Sequence, residues 1–182
     1  MRRYKIIEDG IIPHFATWTL TEWLPIFISD KYCDILKNSL EYCRREKGLL
    51  VHAYVIMPTH AHFILSVEPD FVLSDVLRDA RKFTAKEIVR QLQQDEHRLF
   101  EWIFREAAQK VGRPKGSYKV WSEGTHPVAL ESEQMAIQRF EYLHNNPVRK
   151  GLVEFPEYWR YSSASFYLTE KEGPIQIDPL DW

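Results

Sequence analysis

Two histidines lie one residue apart in the segment PTHAHFILSV, residues 58–67. The apolar residues that follow predict a β-strand over 60–67. Because side chains alternate across a strand, His60 and His62 share one face, while the more apolar set that begins at Ala61 shares the other and should cover the core. Two imidazoles at this spacing can bind one metal ion. The alternative interpretation is two half-exposed polar residues at a strand end, and the pair alone does not exclude it.

A second unusual pairing lies in FEYLHNNPVRKGLV, residues 140–153. We predict a helix over 132–146 that Pro147 ends, because proline cannot continue a helix. Tyr142 and Asn146 are four residues apart and therefore share a face of that helix. A tyrosine followed one turn later by an amide that could bind a metal is uncommon. Taken singly, Tyr142 also fits a core aromatic, and Asn146 fits a helix C-terminal or Asx-turn residue.

The rest of the chain must position these residues, and its pattern alternates strands and helices. In order, we predict a strand over 13–20, a helix over 30–48, strands over 49–57 and 60–67, one long or two shorter helices over 73–110, a strand over 118–123 and the helix over 132–146. Two strand–helix–strand units on an antiparallel sheet make the ferredoxin-like pattern. We therefore predict an α+β fold: a ferredoxin-like antiparallel sheet with helices on one face, a late tyrosine-bearing helix and an irregular C-terminal tail.

Local signals refine these boundaries. Asp30 is the expected N-cap of the first helix and Gly48 its C-terminal stop. Pro58 and Thr59 make so short a connection that the strands on either side should form an antiparallel hairpin. The region over 73–110 contains no proline or glycine, and we expect any break in it near 94–97.

Composition limits the class of protein. The 182 residues suggest one domain, with a core over about 10–153 and a tail over about 154–182. A net charge of −2 does not indicate a generally basic nucleic-acid binder, so any such role must depend on a local patch. Cys33 and Cys43, roughly 15 Å apart on the predicted helix, are too distant for a disulfide. Free thiols, no signal-peptide pattern and no run of roughly 20 apolar residues predict a cytoplasmic protein without a membrane span.

Together, YVIMPTHAHFILSV and the downstream YLHNNPVRKGLV resemble the single-tyrosine transposases of the HUH endonuclease superfamily, and most closely the REP-associated tyrosine transposases. The likeness extends from the first strand to about residue 165 and includes VLRDARKFTAKEI and YWRYSSASFY. The resemblance implies that His60 and His62 bind a divalent ion, Mg²⁺ or Mn²⁺, with Asn146 as a third ligand. It also implies that Tyr142 is the nucleophile.

The reaction that the resemblance implies is cleavage and transfer of single-stranded DNA, as in DNA transposition. Attack by tyrosine would leave a 5′-phosphotyrosine link and a free 3′-hydroxyl. No water is consumed, so the bond energy is kept and a second strand can be joined. This chemistry suits a strand-transferring enzyme better than a nuclease.

The expected partner is single-stranded, hairpin-forming DNA, and single strands are bound by basic grooves with aromatic platforms. The residues that we expect to contact DNA are Arg78, Arg81, Lys82, Arg113, Lys115, Lys119, Arg149 and Lys150. The stripe on the middle helix also fits a solvated face. A homodimer, with the tyrosine acting in its own subunit or in the partner's, is compatible with the resemblance.

The sequence departs from the family pattern at two places. Thr59 stands where relatives often carry asparagine, and TEWLPIF replaces a turn with glycine and arginine, which leaves open which DNA hairpin is recognised.

Three rival functions are alternatives to this one. A barrel metallohydrolase needs about 250 residues and eight strand–helix repeats, which this chain lacks. A two-histidine phosphoesterase needs two His-x-Ser/Thr motifs, which do not occur. The remaining rival is a domesticated, catalytically silent protein that binds hairpin DNA.

Overall fold

The computed structural model describes residues 12–123 and 126–180. Its main elements are β1 (His14–Thr19), α1 (Asp30–Lys47), β2 (Leu49–Met57), β3 (His60–Val67), α2 (Leu73–Gln94), α3 (Arg98–Lys110), β4 (Val128–Ala129), α4 (Glu133–His144), α5 (Asn146–Arg149) and α6 (Ala164–Thr169). Short 3₁₀ turns cover Thr21–Trp23, Ile26–Ile28 and Pro156–Tyr158. The predicted start of the core at about residue 10 lies outside the described residues. Most of the N-terminal segment, whose sequence shows no signal-peptide pattern, lies outside them too.

The four strands form one antiparallel sheet in the order β2-β3-β1-β4. This order confirms the predicted ferredoxin-like arrangement. The tight connection at Pro58 and Thr59 makes β2 and β3 a hairpin, as expected, with Met57 opposite His60. On its other side β3 pairs with β1, so it is a central strand with partners along both edges.

The two faces of the sheet are covered by different helices. Ala61, Phe63 and Leu65 of β3 contribute to a core that also contains the buried residues of α1 and α2, which confirms the predicted core face. On the other face, Ile64 joins a smaller apolar cluster that includes Leu143 of α4. The late helix therefore lies over the face that carries the histidines.

For α1 to α3, the predicted helix boundaries are confirmed at two points and wrong at one. Gly48 ends α1 in the left-handed conformation, with φ 55°, and its N–H donates to Cys43 O. The predicted break near 94–97 falls between α2 and α3. The N-cap of α1 is Ser29, not Asp30, which is the first helical residue and pairs with Arg160.

The predicted strand over 118–123 is wrong. This segment makes only an isolated bridge between Trp121 and Leu20, with neighbouring backbone bonds to the end of β1. Val120 and Trp121 are buried in the core, so their apolar pattern records burial and not strand pairing. The fourth strand is instead the two-residue β4, which pairs with His14 and Phe15.

The C-terminal tail is more ordered than predicted, because it contains the helix α6. Tyr161, Ile175 and Ile177 belong to the main core. Asp178 accepts a hydrogen bond from Val51 N and pairs with Arg44 at 2.6 Å. The tail therefore closes the edge of the sheet at β2.

Cys33 and Cys43 are buried free thiols, as the predicted spacing required. Within residues 12–123 and 126–180, the structure has no helix that is both long and apolar enough to cross a membrane.

Gly48 tests the packing at the end of α1. An alanine Cβ there would overlap the Phe71 ring, whereas one at Gly112 would meet nothing within 4 Å. Both glycines have positive φ, so Gly112→Ala should cost about 1 kcal/mol of unfolding free energy and Gly48→Ala distinctly more. Urea denaturation of both variants measures the difference. Equal costs would contradict the close approach of Phe71.

Candidate active site

His60 and His62 lie on the same face of β3, with their ring centroids 4.8 Å apart. Their backbone positions are fixed from both sides, because His62 is opposite Val55 of β2 and Thr17 of β1. Both residues are buried, with 8% and 5% of their surface exposed. The structure thus does not support the interpretation of two half-exposed residues at a strand end.

The predicted tyrosine helix lies directly over this pair, although it is shorter than expected. It ends at His144, and the chain turns at Asn145 before the short helix α5, in which Pro147 is an N-terminal residue. Pro147 starts a new helical turn because it needs no backbone donor there. The Tyr142 ring centroid is 5.3 Å from that of His62, and Asn146 is buried.

One cavity of about 430 Å³ brings these residues together. Five predicted site residues line it: His60, His62, Tyr142, Asn146 and Lys150. Five further lining residues were not predicted: Phe15, Thr17, Thr19, Trp23 and Arg139. These residues are distant in sequence, because α2, α3 and β4 all lie between β3 and α4.

Threonine hydroxyls orient both imidazoles. Thr17 Oγ1 lies 2.8 Å from Nδ1 of His62, and Thr59 Oγ1 lies 3.0 Å from Nδ1 of His60. If each Nδ1–H donates to its threonine, each Nε2 keeps a free lone pair. The buried Nε2 of His62 has no hydrogen-bond partner within the described structure. An imidazole with one nitrogen hydrogen-bonded and the other without a partner has the donor atom that a metal ligand needs.

Burial keeps both imidazoles neutral. Desolvation lowers the pKa of His60 to about 4, and the charge of Lys150 acts in the same direction. Desolvation, then His60 and Arg139, lower the pKa of His62 to about 3. Neutral imidazole is the form that binds metals. The described residues contain no group of three His, Cys, Asp or Glu side chains that could hold a metal, but the expected third ligand here is the Asn146 amide.

Cations surround the cavity, and no acidic residue lines it among those described. The guanidinium carbon of Arg139 lies 5.0 Å from the Phe15 ring centroid, and that of Arg149 lies 5.5 Å from the ring centroid of Tyr142. With Lys150 they give the site a positive potential that favours an anionic ligand. Arg139 and Thr17 could not be found from sequence, because only the strand pairing and helix placement bring them to the histidines.

Four of the other predicted DNA contacts lie elsewhere. Arg78, Arg81, Lys82 and Arg113 line a second cavity of about 460 Å³, together with Ala16 and Trp18 of β1. Phe15 and Thr17, the alternate residues of the same strand, line the first cavity. The two cavities are therefore on opposite faces of the sheet, one on each side of β1.

Carboxylates compensate much of the positive charge of the predicted DNA contacts on this second face. Arg78 pairs with Asp75 at 2.6 Å, and Arg113 and Lys119 both pair with Glu123, at 3.1 and 3.7 Å.

The partly buried Arg81 donates to Ser122 O at 2.7 Å, and burial lowers its pKa. Lys82 and Lys115 are exposed.

A buried hydrogen-bond network anchors the tyrosine helix. His144 Nε2 lies 2.8 Å from Ser163 Oγ in the tail. Ser163 Oγ accepts from Tyr54 N at 2.9 Å and lies 3.2 Å from Tyr54 O, within β2. The hydroxyl of Ser163 thus joins the tail and the sheet to the helix through His144, which is two residues from Tyr142.

No protein-family model and no curated protein matched the sequence. Among solved structures, the fold is similar over 100% of this chain and 94% of the other to a REP-associated tyrosine transposase bound to a REP hairpin, with a TM-score of 0.62 and 16% identity. The chain shares the fold of that tyrosine transposase. A transposase candidate from Deinococcus radiodurans R1 matches 80% of this chain and 97% of its own, with a TM-score of 0.48 and 18% identity. The first likeness confirms the predicted fold class.

The buried histidines predict a pH dependence of stability. Unfolded histidine takes up a proton near pH 6.5, whereas folded His62 does so only near pH 3, so the unfolded state binds more protons between these values. The free energy of unfolding should therefore fall with decreasing pH, by up to about 1.4 kcal/mol per pH unit for this residue. His62→Gln should make the slope shallower between pH 7 and 4.5 in urea denaturation with chelator present.

His126→Gln is the matched control, because His126 is exposed in a loop. An unchanged slope in His62→Gln would contradict the inferred burial of this imidazole in the neutral form.

Proposed function

We propose that this protein is a metal-dependent transposase of the single-tyrosine HUH type, which cleaves single-stranded DNA and transfers the strand through a 5′-phosphotyrosine intermediate. The observation that supports it most is the convergence of Tyr142, His60, His62 and Asn146 on one cavity, with the tyrosine ring 5.3 Å from His62. The shared fold with a tyrosine transposase adds to this support.

The residues present fit a divalent ion. The Nε2 atoms of His60 and His62 and the amide oxygen of Asn146 would hold Mg²⁺ or Mn²⁺, and two threonines would keep the imidazoles in the required tautomer. Such an ion supplies charge neutralisation at the scissile phosphate.

The chain's own residues supply the nucleophile and the positive field. Tyr142 Oη attacks the phosphorus, the bond from phosphorus to the 3′-oxygen breaks, and the tyrosine proton is released as the 3′-end takes one up to become a hydroxyl. The 5′-phosphate stays on the tyrosine until another 3′-hydroxyl displaces it. Arg139 and Lys150 line the same cavity, so they lie where the phosphate charge would be bound.

The proposed substrate is single-stranded DNA with a hairpin. The transposase that shares this fold is described as bound to a REP hairpin. Arg149 and Lys150 flank the proposed chemistry. The cavity of Arg78, Arg81, Lys82 and Arg113 lies on the opposite face of the sheet, and Lys82 is its exposed cation without an ion pair among the described residues. A homodimer remains a prediction of the family resemblance.

The test is a covalent-adduct assay. The protein would be mixed with Mn²⁺ and labelled hairpin oligonucleotides from the DNA flanking its gene, and a denaturing gel would be read for a protein–DNA band. We expect the band in the wild type and its loss in Tyr142→Phe and His60→Ala. Tyr158→Phe is the matched control, because Tyr158 is 64% exposed and does not line the cavity.

Two results would contradict the proposal. A band that persists in Tyr142→Phe would place the nucleophile elsewhere. Tight DNA binding with no band for any flanking hairpin would favour the silent DNA-binding protein.

Thr17 gives a separate test of the proposed metal site. Thr17→Val removes the hydroxyl that lies 2.8 Å from His62 Nδ1, so the ring loses its fixed tautomer and orientation. Loss of such a partner typically weakens metal binding by about 10- to 100-fold. Calorimetric titration with Mn²⁺ would measure this loss. Thr19→Val is the control on the same strand and face, and equal effects of the two would argue against a specific role for Thr17.

A further inference from the structure

An exposed tryptophan stands at the rim of the active-site cavity. Trp23 lines that cavity, yet its surface is 63% exposed. Its ring centroid is 5.8 Å from that of His60, with the two rings at 74°. A side chain this large and this exposed contributes little to the core, so its position calls for another explanation.

The backbone that presents Trp23 is strained. Glu22 and Trp23 have φ 54° and 53°, so two consecutive residues with side chains adopt the left-handed conformation. This conformation is unfavourable for residues with side chains, and such strain clusters at functional sites. Neighbouring backbone bonds hold the turn, from Leu20 N to Thr59 O at 2.9 Å and from Thr21 N to Val120 O at 2.8 Å.

The surroundings indicate which ligand would use this ring. A flat, accessible aromatic face beside Lys150 and Arg139 suits a planar aromatic group that is covalently joined to an anion. An unpaired nucleotide has that composition, with its base on the ring and its phosphate among the cations. Stacking of a base on an aromatic side chain is worth about 1–3 kcal/mol and tolerates any base, because every base has a π-face.

We propose that Trp23 is the stacking platform for an unpaired nucleobase next to the scissile phosphate, an inference that rests on the proposed function. Trp23 thereby sets the position of the strand in the cavity, and it does not read base identity. Trp23 belongs to the segment TEWLPIF, residues 21–27, which directly follows β1 and Leu20.

The experiment measures whether the effect of changing Trp23 on DNA affinity depends on single nucleotide positions in the DNA. The full chain would be titrated, without divalent metal, against fluorescent hairpin oligonucleotides from its flanking DNA, each with a single-stranded extension in which one nucleotide is made abasic. For the wild type, one position next to the cleavage site should weaken binding by roughly 5- to 150-fold. Changing the base there to any other should have little effect.

Trp23→Ala should weaken binding of the intact oligonucleotide by a similar factor and should be insensitive to the abasic change at that one position. Trp23→Phe should restore most of the affinity. Trp102→Ala is the matched control, because Trp102 is 56% exposed and does not line the cavity. Its effect and that of the abasic change should simply multiply.

Two outcomes would contradict the proposed stacking role of Trp23. In one, the effects of Trp23→Ala and of every abasic position multiply independently. In the other, Trp23→Leu restores wild-type affinity, which would make Trp23 only an apolar cover for His60.

The binding series is separate from the adduct assay, so the two proposals can fail separately. If Trp23 and one DNA position are coupled in binding but no adduct forms, the stacking role stands and the proposed cleavage is contradicted. If the adduct forms without such coupling, the cleavage stands and the stacking role is contradicted. Absence of binding to all oligonucleotides would overturn both.

Discussion

The pleat of the central strand β3 is the constraint on which the site depends. With partners along both edges, this strand can present only one set of alternate residues to each face. Ala61, Phe63 and Leu65 are held in the main core, so His60 and His62 must point to the opposite side. A slip of one residue would exchange the two sets and bury imidazoles in the core. The same hydrophobic packing that stabilises the fold therefore orients the chemistry.

A second level of organisation comes from what covers the histidine face. Burial keeps the imidazoles neutral, and α4 brings a phenol over them. The helix is not held by apolar contacts alone, because Ser163 joins His144 to the backbone of Tyr54. Cations complete the cavity, while carboxylates compensate many of those on the other face. The two sides of β1 thus both carry basic residues, but Arg78 and Arg113 on the second side are paired with carboxylates.

Sequence predicted most where the signal was local. The spans of β2 and β3 are correct because alternation and a two-residue turn define them, and the four proposed catalytic and metal-binding residues do meet. The fourth strand was misplaced, because two residues carry no periodicity, whereas buried Val120 and Trp121 imitate a strand. Thr17 and Arg139 become visible only through pairing and packing. Trp23 was missed because no sequence pattern signals a left-handed backbone at residues other than glycine or asparagine.

The hydroxyl of Ser163 has a consequence for how the protein is made. The ribosome completes the histidine hairpin early, and the tyrosine follows, but the residue that anchors the tyrosine helix to the sheet emerges later still. Core residues such as Ile175 and Ile177 come after it. A nascent chain thus contains His60, His62 and Tyr142 before it can hold them next to one another. The order of synthesis therefore delays the anchoring of α4 to β2 until Ser163 and the core residues after it have been made.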